Sequence, residues 1–279
     1  MRQVIIDEIF RFVREDHGNR FPESEQSYFD EPLVGFASSA DPLFQQYKTV
    51  IGSFHLTPQE VITQSLGADS WQPATVICWV LPITAATRKT NRGETMYPSR
   101  EWAQTRNYGE KFNVVLRRHI VDYLVSKGYR AVAPQLLPEW KKFDKTPVGI
   151  ASSWSERHAA YAAGLGTFSL NDALITPKGI AHRLGSVITD AVIAPSKQIY
   201  SDYRANCLFY REKSCGLCIS RCPVGALSDS GHDKAKCFEH VYGTVPAAVG
   251  ESYQVPETGC GLCQTGVPCE GQIPVGHKL

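Results

Sequence analysis

The sequence has little of several things that announce a function. Net charge is nearly absent: 29 Lys and Arg stand against 28 Asp and Glu, a formal +1. That removes the bulk electrostatic reason for nucleic acid or an anionic membrane as a partner. No apolar run approaches the length of a membrane span. The opening Met1-Arg2-Gln3-Val4-Ile5-Ile6-Asp7-Glu8 puts acids where a signal peptide is purely apolar, and it carries no twin-arginine pattern. A cytoplasmic protein is expected. There is no internal repeat, and no dinucleotide or P-loop glycine motif. Cysteine, too, is scarce before Cys207, where Cys78 stands alone.

What is present describes an ordinary globular chain, 43% hydrophobic and 20% charged. Its 279 residues suffice for one large domain and a small appended one. Apolar positions at helical spacing over Arg2 to Arg14 predict an amphipathic helix. Leu33 to Ala37 suits a short strand. The continuous run Thr75 to Leu81, ended by Pro82, predicts a buried strand with Cys78 as a core residue. Ala86 to Asn107 is polar, with Arg88, Lys89, Arg92, Arg100 and Arg106 among aromatics. It reads as a loop, either solvated or lining a site for an anionic or ring-shaped ligand. Glu110 to Lys127 predicts a second helix capped by Gly128. Ser153-Trp154-Ser155-Glu156 has the form of a capping box opening a helix to about Ala163, ended by Gly164. Tyr129–Ala133, Asp172–Thr176 and Leu184–Val192 read as strands. The expected fold class is α+β: an α/β domain over 1–195, then a small domain over 196–279.

The remaining eight cysteines carry the chemistry. Cys207 is followed by Cys215, Cys218 and Cys222-Pro223; Cys237 is followed by Cys260, Cys263 and Cys269. Clustered cysteines in a cytosolic chain point to metal rather than disulfides. Each 4Fe–4S cluster takes four thiolates, so eight match two clusters. Paired C-x2-C units also suit two structural zinc sites, but the Cys-Pro ending favours the cluster reading. In two-cluster ferredoxins the cysteine before proline crosses to the other cluster. That rule assigns Cys207, Cys215, Cys218 and Cys269 to one cluster and Cys222, Cys237, Cys260 and Cys263 to the other. The usual leading cysteine is absent at Glu212, so Cys207 substitutes from a longer loop. Between Cys263 and Cys269 the spacing is five residues instead of three, and Glu270 replaces proline.

Glu156-Arg157-His158-Ala159-Ala160-Tyr161-Ala162-Ala163-Gly164-Leu165-Gly166 resembles the E-R-x-x-A-x-x-A-G-L-G segment of the epoxyqueuosine reductase family. Asn171 to Pro177 and Gly185 to Asp190 resemble two strands of that family, and two cluster motifs follow in the same order. The resemblance covers roughly residues 75–270, and reaches reductive dehalogenases more distantly. It implies a nitroreductase-like domain binding cobalamin, next to a ferredoxin-like domain with two 4Fe–4S clusters. Electrons would come from reduced ferredoxin or flavodoxin. By match, Gly164, Leu165, Gly166, Ser169, Leu170, Asn171, Ala173 and Leu174 would lie against the corrin, the glycines letting backbone approach a flat ligand. The family's aspartate, six residues before the Glu, is Ile150 here. Its lysine segment is replaced around Ser169-Leu170-Asn171. The chain ends at Leu279, without the family's tRNA-binding helical extension, so tRNA is not the expected substrate.

A reductive step needs a proton donor. Arg157 and Tyr161 are four apart on one helix, so Tyr161 is the candidate donor with Arg157 lowering its pKa. Core packing for Tyr161 and an ion pair for Arg157 are the plainer readings, and His158 reads as structural. Glu156 is assigned to the capping box. His182 and Arg183 suit a surface turn, or contacts to corrin propionamides. The leading function is an oxidoreductase with two clusters and cobalamin, acting on a small molecule or a corrinoid. The alternative is a ferredoxin-type protein that docks and activates a corrinoid partner. A third reading gives the pocket to a flavin.

Overall fold

In the computed structural model, which describes residues 1–276, the chain builds its first part around one antiparallel sheet. Helix α1 (Arg2–Glu15) leads to strand β1 (Leu33–Ser38), helices α2 (Pro42–Val50) and α3 (Pro58–Leu66), and strand β2 (Thr75–Pro82). Helices α4 (Ala85–Arg92) and α5 (Arg100–Ser126) and strand β3 (Ala131–Val132) follow. A small pair, β4 (Lys142–Phe143) and β5 (Ala151–Ser152), precedes helix α6 (Glu156–Ala162). A second pair, β6 (Thr167–Phe168) and β7 (Leu174–Ile175), leads into β8 (His182–Thr189). The sheet order is β1-β2-β8-β3, with every neighbouring pair antiparallel.

Strand β2 is buried on both faces, and alternation sorts its residues. Ile77, Trp79 and Leu81 face α1 and α5 with Ile5, Ile9, Phe112 and Leu116. Val76, Cys78 and Val80 face α2, α3 and α6 with Phe44, Ile62 and Ala160. The Trp79 ring occupies the space a side chain would need at Gly185 on β8, and its Nε1 donates to Asn113 Oδ1 at 2.9 Å. Cys78 is a core residue, as its sequence context predicts. Burial pushes its thiol up, and Glu156 adds to the effect, so it is not an accessible nucleophile.

Two expectations change here. The stretch Ala86 to Asn107 is not a loop. Thr84 caps α4 through the Thr87 N–H, and Ser99 caps α5 through the Trp102 N–H. The residues α4 buries are Thr87 and Asn91, both polar, so no apolar period marks the helix. Nor does Ser153 open α6. Its Oγ accepts from Lys141 N at 2.9 Å beside the β4–β5 pair, and Ser155 is the cap, accepting from His158 N. Glu156 thereby becomes the first helical residue, with its carboxylate outside any capping box.

Beyond 195 the chain forms short helices around the cysteines: α7 (Leu208–Glu212), α8 (Leu217–Ser220) and α9 (Lys234–Glu239), with a β9–β10 pair (Leu227–Ser228, Gly231–His232) between. Helix α9 runs on through wide π-type turns over His240–Thr244 and Pro246–Gly250 to α10 (Glu251–Tyr253). A third apolar cluster joins Leu170, Ala173, Ile175 and Ile180 to Cys207 and Val267. Among the described residues no helix is long and apolar enough to cross a membrane.

Candidate functional site

Four of the eight clustered cysteines share one pocket, and the other four neighbour one another beside it. Cys207, Cys215, Cys218 and Cys269 line one cavity together with Ser169, Leu170, Asn171, Ile180 and Pro268 among others. Burial pushes the Cys218 thiol up to about 12, and Cys207 and Cys215 add to it. Cys269 is raised by burial and then by Cys218, Cys207 and Cys215. In the other quartet, burial pushes Cys260 up to about 11, with Cys237 and Cys222 contributing. Cys263 is raised by burial, then by Cys260, Cys237, Cys218 of the first quartet and Cys222. The two groups therefore adjoin at Cys218 and Cys263. Thiols crowded in this way are stable as thiolates only when metal supplies the compensating charge. No three His, Cys, Asp or Glu side chains among the described residues converge on a single ion. A quartet around a cavity fits a cluster, which holds its thiolates apart. The Ala226 N–H donates to Cys222 Sγ at 3.2 Å, the kind of bond that tunes a cluster's potential.

The two glycines expected against a corrin are packed closely by the chain itself. A Cβ on Gly164 would sit 2.9 Å from the Lys197 carbonyl oxygen, and one on Gly166 would strike the Ile175 carbonyl. Protein backbone, not a ligand, occupies the space these glycines leave. Gly164 has φ +72 and ends α6. Leu165, Ala173 and Leu174 are buried. Ser169, Leu170 and Asn171 face the first cysteine cavity, and Asn171 Nδ2 donates to the Cys263 carbonyl at 3.0 Å. This segment joins the two quartets to the main domain.

Three of the arginines expected in a ligand loop, Arg88, Arg92 and Arg106, instead grip the cysteine loops, while Arg100 reaches Glu23. Arg88 and Arg92 pair with Glu270. Arg106 pairs with Glu257 at 3.3 Å. Asn91 Nδ2 donates to Thr265 Oγ1 at 3.0 Å, and Arg221 donates to the Asn91 and Glu94 carbonyls. The indole of Trp102 packs on Gly261.

Glu110 and Arg117 of α5, Glu156 of α6 and Arg183 of β8 gather into a charged recess beside β8. Arg183, in β8 rather than on a surface turn, pairs with Glu110 at 2.6 Å. Glu110 also pairs with Arg117 at 2.9 Å. Burial pushes the Glu110 carboxyl up, but Arg183 and Arg117 outweigh it and bring the group to about 2. Arg117 lies 3.5 Å from Glu156 without a hydrogen bond between them. Burial raises the Glu156 carboxyl against that opposing charge. Two carboxylates in one recess thus have pKa values pushed apart, the usual mark of distinct proton roles. Of these four charged residues Glu110 and Arg117 do not stand out in the sequence, because they meet Arg183 and Glu156 only through the fold.

Arg157 is exposed and makes no ion pair or hydrogen bond among the described residues. His182 Nε2 donates to the Leu174 carbonyl at 2.8 Å, while its Nδ1 has no partner among the described residues. Asp172 is held by His232 at 3.1 Å and Lys234 at 3.7 Å. Tyr161 is not brought to Arg157. Burial raises its hydroxyl, and its charged neighbours are Asp202 and Asp41. Four residues advance a helix about 40° beyond a full turn, enough here to put one side chain in the core and the other in the recess.

His158 is structural, as its position predicts. It joins His55, Tyr47 and Trp154 in an aromatic cluster. Burial takes His55 down to about 4 and His158 down to about 3. Both are neutral when folded, so the unfolded chain binds protons that the folded one refuses. Stability is full above the unfolded value near 6.5 and falls as pH drops below it. From pH 7 to 5 the loss is about 2 kcal/mol for each histidine. Thermal unfolding across that range should show the fall, and His55→Gln should flatten it.

The α+β fold is that of the epoxyqueuosine reductases and reductive dehalogenases. An epoxyqueuosine reductase from Bacillus subtilis, with its catalytic aspartate loop swung out of the active site, matches with TM-score 0.54 and 17% identity over 98% of this chain and 66% of that one. A reductive dehalogenase whose structure suggests a mechanism for B12-dependent dehalogenation matches with TM-score 0.50 and 16% identity over 87% of this chain and 30% of that one. In sequence the chain is similar to epoxyqueuosine reductase of Bacillus anthracis, 28% identical over 170 residues, and is in that sense epoxyqueuosine reductase-like. It spans 39% of that relative's length, and the match takes in 58% of this chain. No family model matches it.

Proposed function

We propose that the protein is an oxidoreductase holding two 4Fe–4S clusters, one in each cysteine quartet, that delivers electrons to a corrinoid at the β8 recess. The observation that carries this reading is the separation of eight cysteines into two adjoining groups, one of them around a cavity. The domain division 1–195 and 196–279, and reduced ferredoxin or flavodoxin as donor, belong to the same proposal. When bound, the clusters supply one-electron transfer and the corrinoid a strongly reducing metal.

The donor chemistry of the recess fits an amide-rimmed corrin. Arg157 and His182 Nδ1 are without partners there, whereas the Gly164–Gly166 turn leaves no room. Arg157 and His182 would bind the corrin rim. Glu110 keeps Arg183 oriented along the recess wall. Tyr161, raised by burial, keeps its proton on the hydroxyl at neutral pH. Glu156, also raised, holds a proton more readily than an ordinary carboxyl. The substrate is a small molecule or a corrinoid rather than tRNA, in keeping with a formal charge of +1.

Anaerobic purification with iron, sulfide and cobalt analysis and an absorption spectrum tests the proposal. About eight iron and eight sulfide per chain are expected. Zinc in place of iron would end the cluster reading. Failure of the cluster-loaded protein to bind cobalamin at micromolar concentration would end the corrinoid reading.

A further inference from the structure

Glu270 follows Cys269 where the two-cluster run has proline. A proline there would shape the turn without charge. Glu270 instead has a nearly fully buried carboxylate that accepts from Arg88 Nε at 3.2 Å, Arg92 Nε at 2.8 Å, Arg92 Nη2 at 2.6 Å and Gly266 N at 2.7 Å. Two guanidinium groups and a backbone N–H surround its oxygens, the setting of a carboxylate rather than a carboxylic acid. Arg88 is anchored independently, donating to the Ile83 carbonyl at 2.7 Å, and its guanidinium lies against Gly271. The backbone on either side is pinned as well. The Cys269 carbonyl accepts from Ile180 N at 2.9 Å, and the Glu270 carbonyl from Ala181 N at 3.3 Å. Desolvating the Glu270 carboxylate and the Arg88 guanidinium is costly, with Arg92 reaching in from the surface, and a buried ion pair seldom adds net stability. What the arrangement supplies is fixed charge beside the fourth ligand of the first quartet: two cations against one anion.

We infer that the Glu270–Arg88–Arg92 clamp is a positioning device that sets the reduction potential of the cluster held by Cys207, Cys215, Cys218 and Cys269. The inference rests on the reading of that quartet as a 4Fe–4S site. Reduction adds negative charge to the cluster, so a fixed cation favours the reduced state and a fixed anion opposes it. Glu270→Gln removes the anion and leaves Arg88 anchored to Ile83, so the midpoint moves positive. Arg88→Gln removes the better-buried cation, so the midpoint moves negative. Each shift is roughly tenfold in the reduction equilibrium, about 59 mV for a one-electron couple.

The experiment is a redox titration of both variants and the unaltered protein, followed by electron paramagnetic resonance, with iron and sulfide measured in each. Opposite shifts at full iron content support the clamp as a potential-setting device. A merely structural role would lower iron content or broaden the signals without shifts of opposite sign. Unchanged midpoints, or shifts in the same direction, overturn the inference. If Glu270→Gln loses iron, Arg88→Gln decides alone, and an unmoved midpoint there overturns it. Iron and sulfide in the unaltered protein test the cluster reading separately.

Discussion

Replacing Cys215 and Cys269 together by serine is expected to leave about four iron per chain, whereas replacing Cys215 and Cys222 together leaves none. The two pairs differ by a single choice of second cysteine, and the nearer one in sequence is expected to do the greater damage. Cys222 lies seven residues after Cys215, yet its thiol belongs with Cys260 and Cys237. Cys269 is far along the chain, yet it lines the cavity of Cys207, Cys215 and Cys218. If the quartets followed sequence order, Cys215→Ser with Cys222→Ser would spare the second cluster, and Cys215→Ser with Cys269→Ser would damage both. Anaerobic iron and sulfide analysis of the two double variants separates these outcomes. The crossed arrangement also bears on electron flow. It places Cys218 and Cys263 at the junction of the quartets, so a loop from each motif bridges the gap.

The cysteine pattern was legible because ligation constrains residue type and spacing directly. Strand β2 was legible because burial on both faces leaves an unbroken apolar run. Helix α4 was not, because it packs against the polar cysteine loops and shows its period in Thr87 and Asn91. The α6 cap was misplaced by two residues because β4–β5 pairing claims Ser153. Two serines of similar local promise were separated only by a strand contact twelve residues away. The glycines after α6 misled for a different reason. A glycine signals a close approach, but sequence does not say whether a cofactor or the Lys197 and Ile175 carbonyls make it. Glu270 was visible only as a departure from the cluster run. Its meaning needed Arg88 and Arg92, which lie 182 and 178 residues earlier in the chain.

The recess gives the other large effect. Glu110→Gln is expected to destabilise the protein by about 3–5 kcal/mol, because it leaves buried cations without their counter-charge. Arg117 is 1% exposed and takes one Glu110 oxygen, while Arg183 takes the other. Glutamine retains the shape but neither charge nor a second acceptor oxygen. Glu156 cannot replace it, since it lies 3.5 Å from Arg117 with no hydrogen bond made. The pH dependence has the same sign. A carboxyl lowered from 4.5 to about 2 in the fold contributes fully above its unfolded value and loses that contribution as pH falls from about 4.5 toward 2. Glu156→Gln should behave in the opposite way. Its carboxyl is raised by burial, so the charged form is disfavoured and a neutral amide of similar size costs little or nothing at neutral pH. Thermal unfolding of the two variants, each with full clusters, checks the contrast. A comparable loss in both would mean that Arg117 draws equally on the two carboxylates, and the division of proton roles in the recess would fall with it.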